Sequence, residues 1–366
     1  MEIINKFLKK IAIFTTTPQV NKNINARDSS DYLSEMGYSK IGWRAIRRNI
    51  FYFISGQNKF HINSIDFIGK NVVWLYFGEE QIGDSLMDLA PRSLLKEYGY
   101  VVDLITTKKI AHLFKDDPWF NDVIIENNKT FIKYDFAIVI SKKHRSLKYK
   151  IDHFKNLPWV SILESFSGPD FNRASYATQR ILDLLNLNIK SESFDYHSSQ
   201  KLNSNTSKNT SNLKIENSKE VVALCVGGID DLRIYKKWIP LIKSLSSIGV
   251  NEFVLIGSEN GSNLATSITQ ENFENVVISN YVGKLSLFEC RNIFSSSKLI
   301  ITSDGGLMHV AVTTTTPIIS FFSSAIHPEW RLPLRENIIS LSSTTEDVND
   351  IPLDLIFNSV QELTKP

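Results

Sequence analysis

The sequence predicts an α/β protein with two doubly wound domains, and three observations support this prediction. The chain has 366 residues, of which 42% are hydrophobic, and this length exceeds what a single core usually holds. Apolar runs alternate with helical patterns in both halves, which is typical of parallel sheets with a helix between successive strands. The two halves are separated at residues 191–219 by a stretch rich in Ser, Asn and Lys, a composition typical of a linker or a mobile loop.

These observations divide the chain into four parts. We expect a basic amphipathic N-terminal extension over residues 1–70, a first domain over residues 71–190, the polar linker or mobile loop over residues 191–219, and a second domain over residues 220–366.

The N-terminal extension is the first element and is unusually basic. Residues 1–60 contain ten Lys or Arg residues against four Asp or Glu residues. Two segments, Ile3–Ile11 and Trp43–Phe53, mix apolar residues at helical spacing with basic residues. Two interpretations stay open: these helices lie on an anionic membrane surface, or they pack on the first domain with their basic faces in water.

The two domains follow as series of strands. Continuous apolar runs, typical of strands covered on both faces, predict in the first domain Val72–Phe77, Tyr100–Ile105, Asp122–Ile125, Tyr134–Ile140 and Trp159–Leu163. A helix is predicted after the first of them, through Leu86–Leu95. In the second domain they predict Val221–Val226, Glu252–Ile256, Val276–Ile278, Leu299–Thr302 and Ile318–Phe322. Ser286 followed by Glu289 has the spacing of a capping box and predicts a helix start.

The composition argues against several classes of protein. The 41 basic and 39 acidic residues nearly balance, so nucleic acid is not an expected partner. The two cysteines, Cys225 and Cys290, lie in apolar runs away from any metal-ligand spacing, and we expect no disulfide framework, metal site or cofactor. No apolar run reaches the roughly 18 to 20 residues of a membrane span, and no signal peptide is evident. Dinucleotide-binding, P-loop, zinc-protease and serine-hydrolase motifs are missing. We therefore expect a cytoplasmic protein.

The strongest candidate site is the turn that follows the apolar run Leu299–Thr302. Two glycines, Gly305 and Gly306, would let backbone N–H groups approach a diphosphate at the start of the next helix. A carboxylate would repel a diphosphate, so Asp304 is expected to accept hydrogen bonds from loop amides or sugar hydroxyls, while His309 could donate to a phosphate oxygen. The alternative is a purely structural turn. The predicted donor-binding residues of this turn are Asp304, Gly305, Gly306, Leu307, Met308 and His309.

Three further loops contain candidate residues, each with a structural alternative. Asp84 stands at a helix start, where it is either an N-cap or a general base that takes a proton from a hydroxyl. Lys236 follows the first strand of the second domain and could neutralise a leaving diphosphate, or it is an ordinary surface lysine. The run Lys142–Arg145 could hold the phosphates of an acidic acceptor, or it is a solvated loop.

Three blocks of the sequence resemble, in the same order, the bacterial ADP-heptose lipopolysaccharide heptosyltransferases of glycosyltransferase family nine. The first is Ile82-Gly83-Asp84 with Pro91, and the second is Lys236-Lys237-Trp238. The third is Gly283–Leu287 followed by Asp304–Ala311 and Pro317. The resemblance covers roughly residues 70 to 330.

The resemblance implies a GT-B fold, in which two Rossmann-like domains face an interdomain cleft and bind the acceptor and the donor, respectively. It implies an inverting, metal-independent transfer of heptose from ADP-heptose to the lipopolysaccharide core, at the inner membrane of a Gram-negative bacterium. In that scheme Asp84 is the base, and Lys236 with the Gly305 and Gly306 amides stabilises the diphosphate. The remaining expected contacts are Gly227 for the donor, and Gly83, Ser85, Lys142, Lys143 and Arg145 for the acceptor. Three alternatives stay open: another nucleotide sugar, a protein acceptor, or a catalytically silent binding subunit.

Overall fold

The computed structural model describes residues 2–21, 24–66, 69–77, 81–126, 133–168, 170–203 and 220–364. The chain forms two compact units, residues Met1–Asn203 and Ser204–Pro366. Each unit is built on its own parallel β-sheet with helices between the strands. The prediction of an α/β protein with two doubly wound halves is therefore confirmed.

In the described residues, three α-helices precede the first strand: α1 (Glu2–Thr16), α2 (Ser29–Met36) and α3 (Tyr38–Ile54). Helix α1 crosses α3 at Gly42, where a Cβ atom would lie 2.8 Å from the carbonyl oxygen of Leu8. A larger residue would push the two helices apart, so the close crossing depends on glycine. The inner faces of the three helices meet at Ala12, Leu33 and Ile41. No helix within the described ranges is long and apolar enough to cross a membrane.

The sheet of the first unit has five parallel strands in the order β3-β2-β1-β4-β5. The strands are β1 (Asn71–Tyr76), β2 (Val101–Thr106), β3 (Asp122–Ile125), β4 (Phe136–Val139) and β5 (Trp159–Ser161). Their ends lie within two residues of the predicted ones. In β1 five of the six residues are buried, as expected for a strand covered on both faces.

The helices of this sheet are α4 (Ile82–Asp88), α5 (Arg92–Glu97), α6 (Lys108–Phe114), α7 (His144–Phe154) and α8 (Arg173–Leu184). The single helix predicted through Leu86–Leu95 is wrong, because α4 ends at Asp88 and Pro91 is the N-cap of α5. Proline has no N–H group with which to continue a helix, so the chain turns there and starts a new one.

The first part of the predicted linker is folded. Residues Ser191–Ser198 form helix α9, which places His197 in a buried position with its Nδ1 atom 2.9 Å from Ser93 Oγ. Leu202 is also buried. This segment is part of the first unit, and α9 packs against α5 and α8. Residues 204–219 of the predicted linker lie outside the described residues.

The sheet of the second unit has six parallel strands in the order β11-β10-β9-β6-β7-β8. The strands are β6 (Val222–Cys225), β7 (Glu252–Ile256), β8 (Val277–Asn280), β9 (Leu299–Ser303), β10 (Ile318–Phe322) and β11 (Ile338–Ser342). The five predicted strands are found. Strand β11, which lies at one edge of the sheet, was not predicted.

The helices of the second unit are α10 (Trp238–Ser246), α11 (Ser262–Gln270), α12 (Leu287–Ser296), α13 (Gly306–Val312) and α14 (Leu353–Thr364). The capping box predicted for α12 is confirmed: Glu289 N–H donates to Ser286 Oγ, and Ser286 N–H donates to the Glu289 carboxylate.

Candidate active site

Each sheet has one point where the order of the strands reverses. In the first sheet β4 lies beside β1, and in the second sheet β9 lies beside β6. The loops that follow such a pair of strands diverge, and α/β proteins bind ligands in the opening at the carboxyl ends of those strands. All the predicted site residues follow one of these four strands. They are Gly83, Asp84 and Ser85 after β1, Lys142, Lys143 and Arg145 after β4, Gly227 and Lys236 after β6, and Asp304–His309 after β9.

The loop after β6 is tightly packed at Gly227. Its φ angle is 94°, in the left-handed region that favours glycine. A Cβ atom on Gly227 would also lie 2.8 Å from the Cα atom of Gly261. Conformation and packing therefore both explain this glycine, whether or not it contacts a ligand.

Gly305 differs from Gly227, because neither its conformation nor its packing demands glycine. Its φ of 165° is extended backbone, and a Cβ atom there would meet only the carbonyl oxygen of Ser303, at 4.0 Å. Gly306 is exposed and begins α13. The missing side chains leave the backbone open in front of α13, as a ligand contact at these two residues would require.

The other residues of this turn are less exposed to solvent. Asp304 is nearly buried, and its backbone N–H donates to the Phe321 carbonyl at 2.9 Å. Leu307 is half-buried and His309 is buried. Met308 is fully buried, so its side chain packs in the interior, and its place among the donor-binding residues stays a prediction.

The Asp304 carboxylate has an arginine partner that the sequence did not indicate. Arg233 Nη1 donates to Asp304 Oδ2 at 3.2 Å, and Arg233 Nε lies 3.3 Å from Asp230 Oδ2. The expected partners of Asp304 were loop amides or sugar hydroxyls. The arginine places a guanidinium group beside the turn that begins α13, where it is shared between the Asp304 and Asp230 carboxylates.

Lys236 lies in the same loop as Arg233 and is half-exposed. Its Nζ atom is 2.8 Å from Asp231 Oδ1, and both side chains are in contact with solvent. Exposed ion pairs contribute about 1 kcal/mol or less, so Lys236 can exchange Asp231 for a phosphate at little cost. Its backbone N–H donates to Asn349 Oδ1 at 2.7 Å, which fixes the loop while the ammonium group stays free to move.

In the first unit, Asp84 is the third residue of α4 and is not its N-cap, a position that Gln81 occupies. The Asp84 side chain is 26% exposed, and its Oδ1 atom lies 3.7 Å from Arg173 Nε. Arg173 binds Asp88 with both Nε and Nη2. Tyr76 OH donates to Asp88 Oδ2 at 3.0 Å. The structural alternative of an N-cap is therefore wrong, and Asp84 belongs to a charged network.

Burial controls the electrostatics of this network. Burial raises the pKa of Asp88, and the charge of Arg173 offsets part of that effect. Burial acts to lower the pKa of Arg173, but the Asp88 and Asp84 carboxylates hold that pKa well above its ordinary value. Arg173 is therefore a fixed cation whose guanidinium group reaches both carboxylates of α4.

Two of the predicted acceptor residues beside Asp84 are buried. Gly83 lies inside the first turn of α4, and Ser85 Oγ donates to the Ile82 carbonyl at 2.8 Å. The Ser85 hydroxyl is fully buried and its proton is used within the helix, and the acceptor contact of Ser85 stays a prediction.

The loop after β4 meets a nearly buried carboxylate, Glu164. Lys142 Nζ lies 2.7 Å from Glu164 Oε2, Arg180 Nη2 donates to Oε1 at 2.6 Å, and His61 Nε2 is 3.2 Å from Oε1. Burial alone would raise the pKa of Glu164, but the hydrogen bond with His61 and the three neighbouring basic groups lower it to about 2. Glu164 also has a φ of 48°, a strained conformation for a residue with a side chain. Lys142 is thus held in an ion pair.

The other basic residues of this loop differ in their surroundings. Lys143 is the N-cap of α7, and its backbone N–H donates to Ser141 Oγ at 3.3 Å, while Arg145 is exposed. Lys150 is fully buried and donates to Gln57 and to the Lys155 carbonyl, and burial lowers its pKa to about 7. Of this basic run, Arg145 is therefore the best placed to meet a ligand.

Within the described part of the chain, no group of three or more His, Cys, Asp or Glu side chains is arranged to hold a metal ion. Asp84, Glu164, Lys236 and Asp304 each lie within 4 Å of a side chain of opposite charge.

Comparison with known proteins identifies the chain type. Residues 170–351 match the family model described as glycosyltransferase family 9 (heptosyltransferase). The chain carries a glycosyltransferase family 9 domain. This domain includes Arg173, Lys236, Asp304 and His309, whereas Asp84 precedes the matched residues. The chain is therefore a glycosyltransferase, as the three sequence blocks predicted.

Solved structures of a family 9 glycosyl transferase and of two heptosyltransferases have the same fold. The glycosyl transferase family 9 protein from Veillonella parvula DSM 2008 is 14% identical, with a TM-score of 0.65 over 82% of this chain and 99% of that chain. The E. coli ADP-heptose lps heptosyltransferase II is 18% identical, with a TM-score of 0.57 over 81% and 98%. E. coli heptosyltransferase WaaC with ADP is 12% identical, with a TM-score of 0.58 over 80% and 99%. The fold is thus that of the GT-B heptosyltransferases. No curated protein sequence matches the chain.

Proposed function

We propose that this family 9 glycosyltransferase transfers a heptose from ADP-heptose to an inner-core acceptor of lipopolysaccharide. The observation that carries the proposal is the arrangement after β6 and β9, where Arg233 and Lys236 accompany the open backbone of Gly305 and Gly306. Arg233 reaches this turn through Asp304, and Lys236 follows in the same loop as Arg233. A diphosphate prefers arginine and lysine partners. The named E. coli relatives, one of them with ADP, support this choice of donor.

In the proposed reaction, the acceptor hydroxyl attacks the anomeric carbon on the face opposite the diphosphate. Asp84 takes the hydroxyl proton as the new C–O bond forms, and the diphosphate leaves with the electrons of the bond that breaks. Lys236 and Arg233 stabilise the negative charge that develops on the oxygens of the leaving diphosphate. The reaction inverts the anomeric centre, and these two cations perform the neutralisation that a metal ion performs elsewhere.

Arg173 has a positioning role in this scheme. A general base must lie within hydrogen-bonding reach of the proton that it removes. The two hydrogen bonds with Asp88 fix the position of the Arg173 guanidinium group. The guanidinium group in turn restrains the Asp84 carboxylate, which lies 3.7 Å away. The exposed quarter of the Asp84 side chain is the part available to an acceptor hydroxyl, and Arg145 is available to an acidic group of the acceptor.

We further propose that the chain works in the cytoplasm, in peripheral contact with the anionic inner membrane of a Gram-negative bacterium, where a lipid-linked acceptor is presented. The basic residues of the first 60 positions support this location.

The test is turnover of ADP-heptose with lipopolysaccharide truncated before its first heptose, followed through ADP release and the mass of the product. Asp84→Asn keeps the size of the side chain and removes the base, so kcat should fall about 10²- to 10⁴-fold. The affinity for ADP should not change, because Asp84 is proposed to contact the acceptor hydroxyl and not ADP. Wild-type turnover by Asp84→Asn would show that another group is the base.

A panel of nucleotide sugars with the same acceptor tests the donor. Turnover with a different sugar and none with ADP-heptose would replace the proposed donor. Binding of ADP-heptose without transfer to any acceptor would indicate a silent binding subunit.

A further inference from the structure

Helices α1 and α3 expose an unusual amount of apolar surface. They comprise 15 and 17 residues, yet they hold nine of the seventeen exposed large hydrophobic side chains in the described part of the chain. These nine are Ile3, Ile4, Phe7, Ile13, Phe14, Trp43, Ile50, Phe53 and Ile54. Ile3 and Ile54 are 85% and 83% exposed, and Trp43 is 51% exposed. Single exposed apolar residues are normal, whereas a concentration of them marks an interaction surface.

The exposed residues form stripes that are separate from the buried faces. On α1, Ile3, Phe7 and Phe14 share one face, since residues four and seven positions apart lie on the same side of a helix. Trp43, Ile50 and Ile54 repeat this spacing on α3. The buried residues of each helix lie on another side, for example Leu8 and Ala12 on α1. Each helix therefore has one apolar face that is buried in the first unit and a second apolar face that is exposed to solvent.

The charge of these helices is almost entirely positive. Together they carry seven basic residues against one acidic residue, Glu2. Six of the basic residues are exposed: Lys6, Lys9, Lys10, Lys40, Arg44 and Arg47. Apolar and aromatic side chains flanked by lysine and arginine suit the boundary between the anionic headgroups and the acyl chains of a bilayer.

The two helices are fixed to each other and to the first unit. They cross closely at Gly42. Tyr52 of α3 packs in the core around β1 and β4, with Lys142 Nζ 5.0 Å from its ring. The Thr15 carbonyl of α1 accepts a hydrogen bond from Ser167 N–H at 2.7 Å. Both anchoring points are near Glu164 and Lys142, beyond the carboxyl ends of β4 and β5.

From these observations we infer that the exposed faces of α1 and α3 form a membrane-binding platform that inserts its apolar side chains into an anionic bilayer. The platform holds the carboxyl ends of β1, β4 and β5 close to the headgroups. In that position a lipid-linked acceptor reaches Asp84 without leaving the membrane. Binding to the bilayer is independent of the reaction, whereas this consequence for the acceptor rests on the proposed function.

The experiment measures binding of the full chain to vesicles by co-sedimentation. Vesicles of phosphatidylglycerol and phosphatidylethanolamine are compared with vesicles of phosphatidylcholine. The apolar variant is Trp43→Ser with Ile50→Ser and Ile54→Ser, and its matched control is Val277→Ser with Leu334→Ser and Leu355→Ser. The charge variant is Lys40→Gln with Arg44→Gln and Arg47→Gln, and its control is Lys148→Gln with Lys243→Gln and Lys298→Gln. Thermal unfolding establishes that every variant is folded.

The wild type and both controls should bind the anionic vesicles, and the apolar variant should lose roughly tenfold or more in affinity. The charge variant should lose the preference for anionic lipid, and binding of the wild type should weaken with salt. Brominated lipids should quench the fluorescence of the wild type more than that of Trp43→Phe, because Trp43 enters the acyl region.

Equal vesicle binding by the apolar variant and its control would overturn the inference. So would self-association of the wild type that the apolar variant abolishes, since the platform would then cover a second copy of the chain. With a detergent-dispersed acceptor, the apolar variant should turn over ADP-heptose like the wild type. If the proposed function fails, all the proteins lack turnover while the differences in vesicle binding remain.

Discussion

At the reversal point of the first sheet, Asp88, Arg173 and Glu164 are buried or nearly so and share several partners. In the second sheet, Arg233 and Lys236 are more exposed and pair with acidic residues of their own loop, and Arg233 also pairs with Asp304. Asp88 and Arg173 form a two-bond clamp, and Glu164 has three basic neighbours. Lys236 has one exposed acidic partner. The difference fits two chemical tasks. A base must be held in one place, while a cation that receives a leaving group must change partners during each turnover.

The largest effect on stability should come from removing the ion pair between Asp88 and Arg173 in the first unit. Asp88→Asn leaves the nearly buried Arg173 without its main counter-charge, and removal of one partner of a buried ion pair costs about 3 to 5 kcal/mol. Urea unfolding measures this cost. The matched control is Asp84→Asn on the same helix, which should change the stability by less than about 1 kcal/mol because Asp84 is partly exposed and 3.7 Å from Arg173.

Equal destabilisation by the two variants would contradict the division of roles between Asp84 and Asp88. Thermal shifts measured with and without ADP should show the same difference, because neither residue is proposed to contact the donor.

The next effect is a loss of stability in acid that depends on Glu164. Its pKa is about 2 in the folded chain against an ordinary value of 4.5. A lowered carboxyl pKa stabilises the folded state above the ordinary value, and this stabilisation is lost as the pH falls from about 4.5 through about 2. The contribution is on the order of 3 kcal/mol. Glu164→Gln should therefore be less stable at pH 7 and should lose less stability than the wild type on acidification.

The measurement is the free energy of unfolding of both proteins between pH 7 and pH 2. A parallel decline of the two curves would mean that Glu164 does not hold the ion pairs with Lys142 and Arg180. Lys142→Gln serves as a control, because it removes one partner and leaves the carboxylate paired with Arg180 and His61.

The comparison also explains which parts of the molecule could be predicted from the sequence. Strands appear in the sequence as continuous apolar runs, and ten of the eleven strands among the described residues were found in this way, whereas the edge strand β11 was missed. The loops at the reversal points could be predicted because they follow those strands. The partners could not, because Arg173 and Asp88 are 85 residues apart, Arg233 and Asp304 are 71 apart, and His61 and Glu164 are 103 apart. No local pattern connects such pairs.

Arg233 is the exception among the missed residues, because a local signal existed. It stands three positions before Lys236 in a segment already considered for phosphate binding. Arginine is the better residue for two-point contacts with phosphate, so this position could have been proposed from the sequence. The platform of α1 and α3 was anticipated only as one of two readings, since periodicity does not tell which apolar face is buried.

A smaller effect is expected at Lys236, the exposed lysine in the loop after β6. Lys236→Ala should lower kcat about 100-fold, because one charge-stabilising group in the transition state is removed. It should leave the stability nearly unchanged, because its ion pair with Asp231 is exposed. Lys237→Ala, a neighbouring exposed lysine, is the control. A loss of stability in Lys236→Ala comparable to that of Asp88→Asn would remove the contrast between the two reversal points.

The smallest effect distinguishes two roles of Asp304. If Asp304 mainly positions Arg233, then Asp304→Asn and Arg233→Ala should each weaken the binding of ADP by about tenfold, the value of one charge-assisted hydrogen bond. The double variant should then be no weaker than either single variant, because both changes remove the same interaction. If Asp304 instead binds sugar hydroxyls, Asp304→Asn should weaken ADP-heptose and leave ADP unaffected. Calorimetric titration of the four proteins with both ligands decides between these outcomes, and additive losses for ADP would exclude the positioning role.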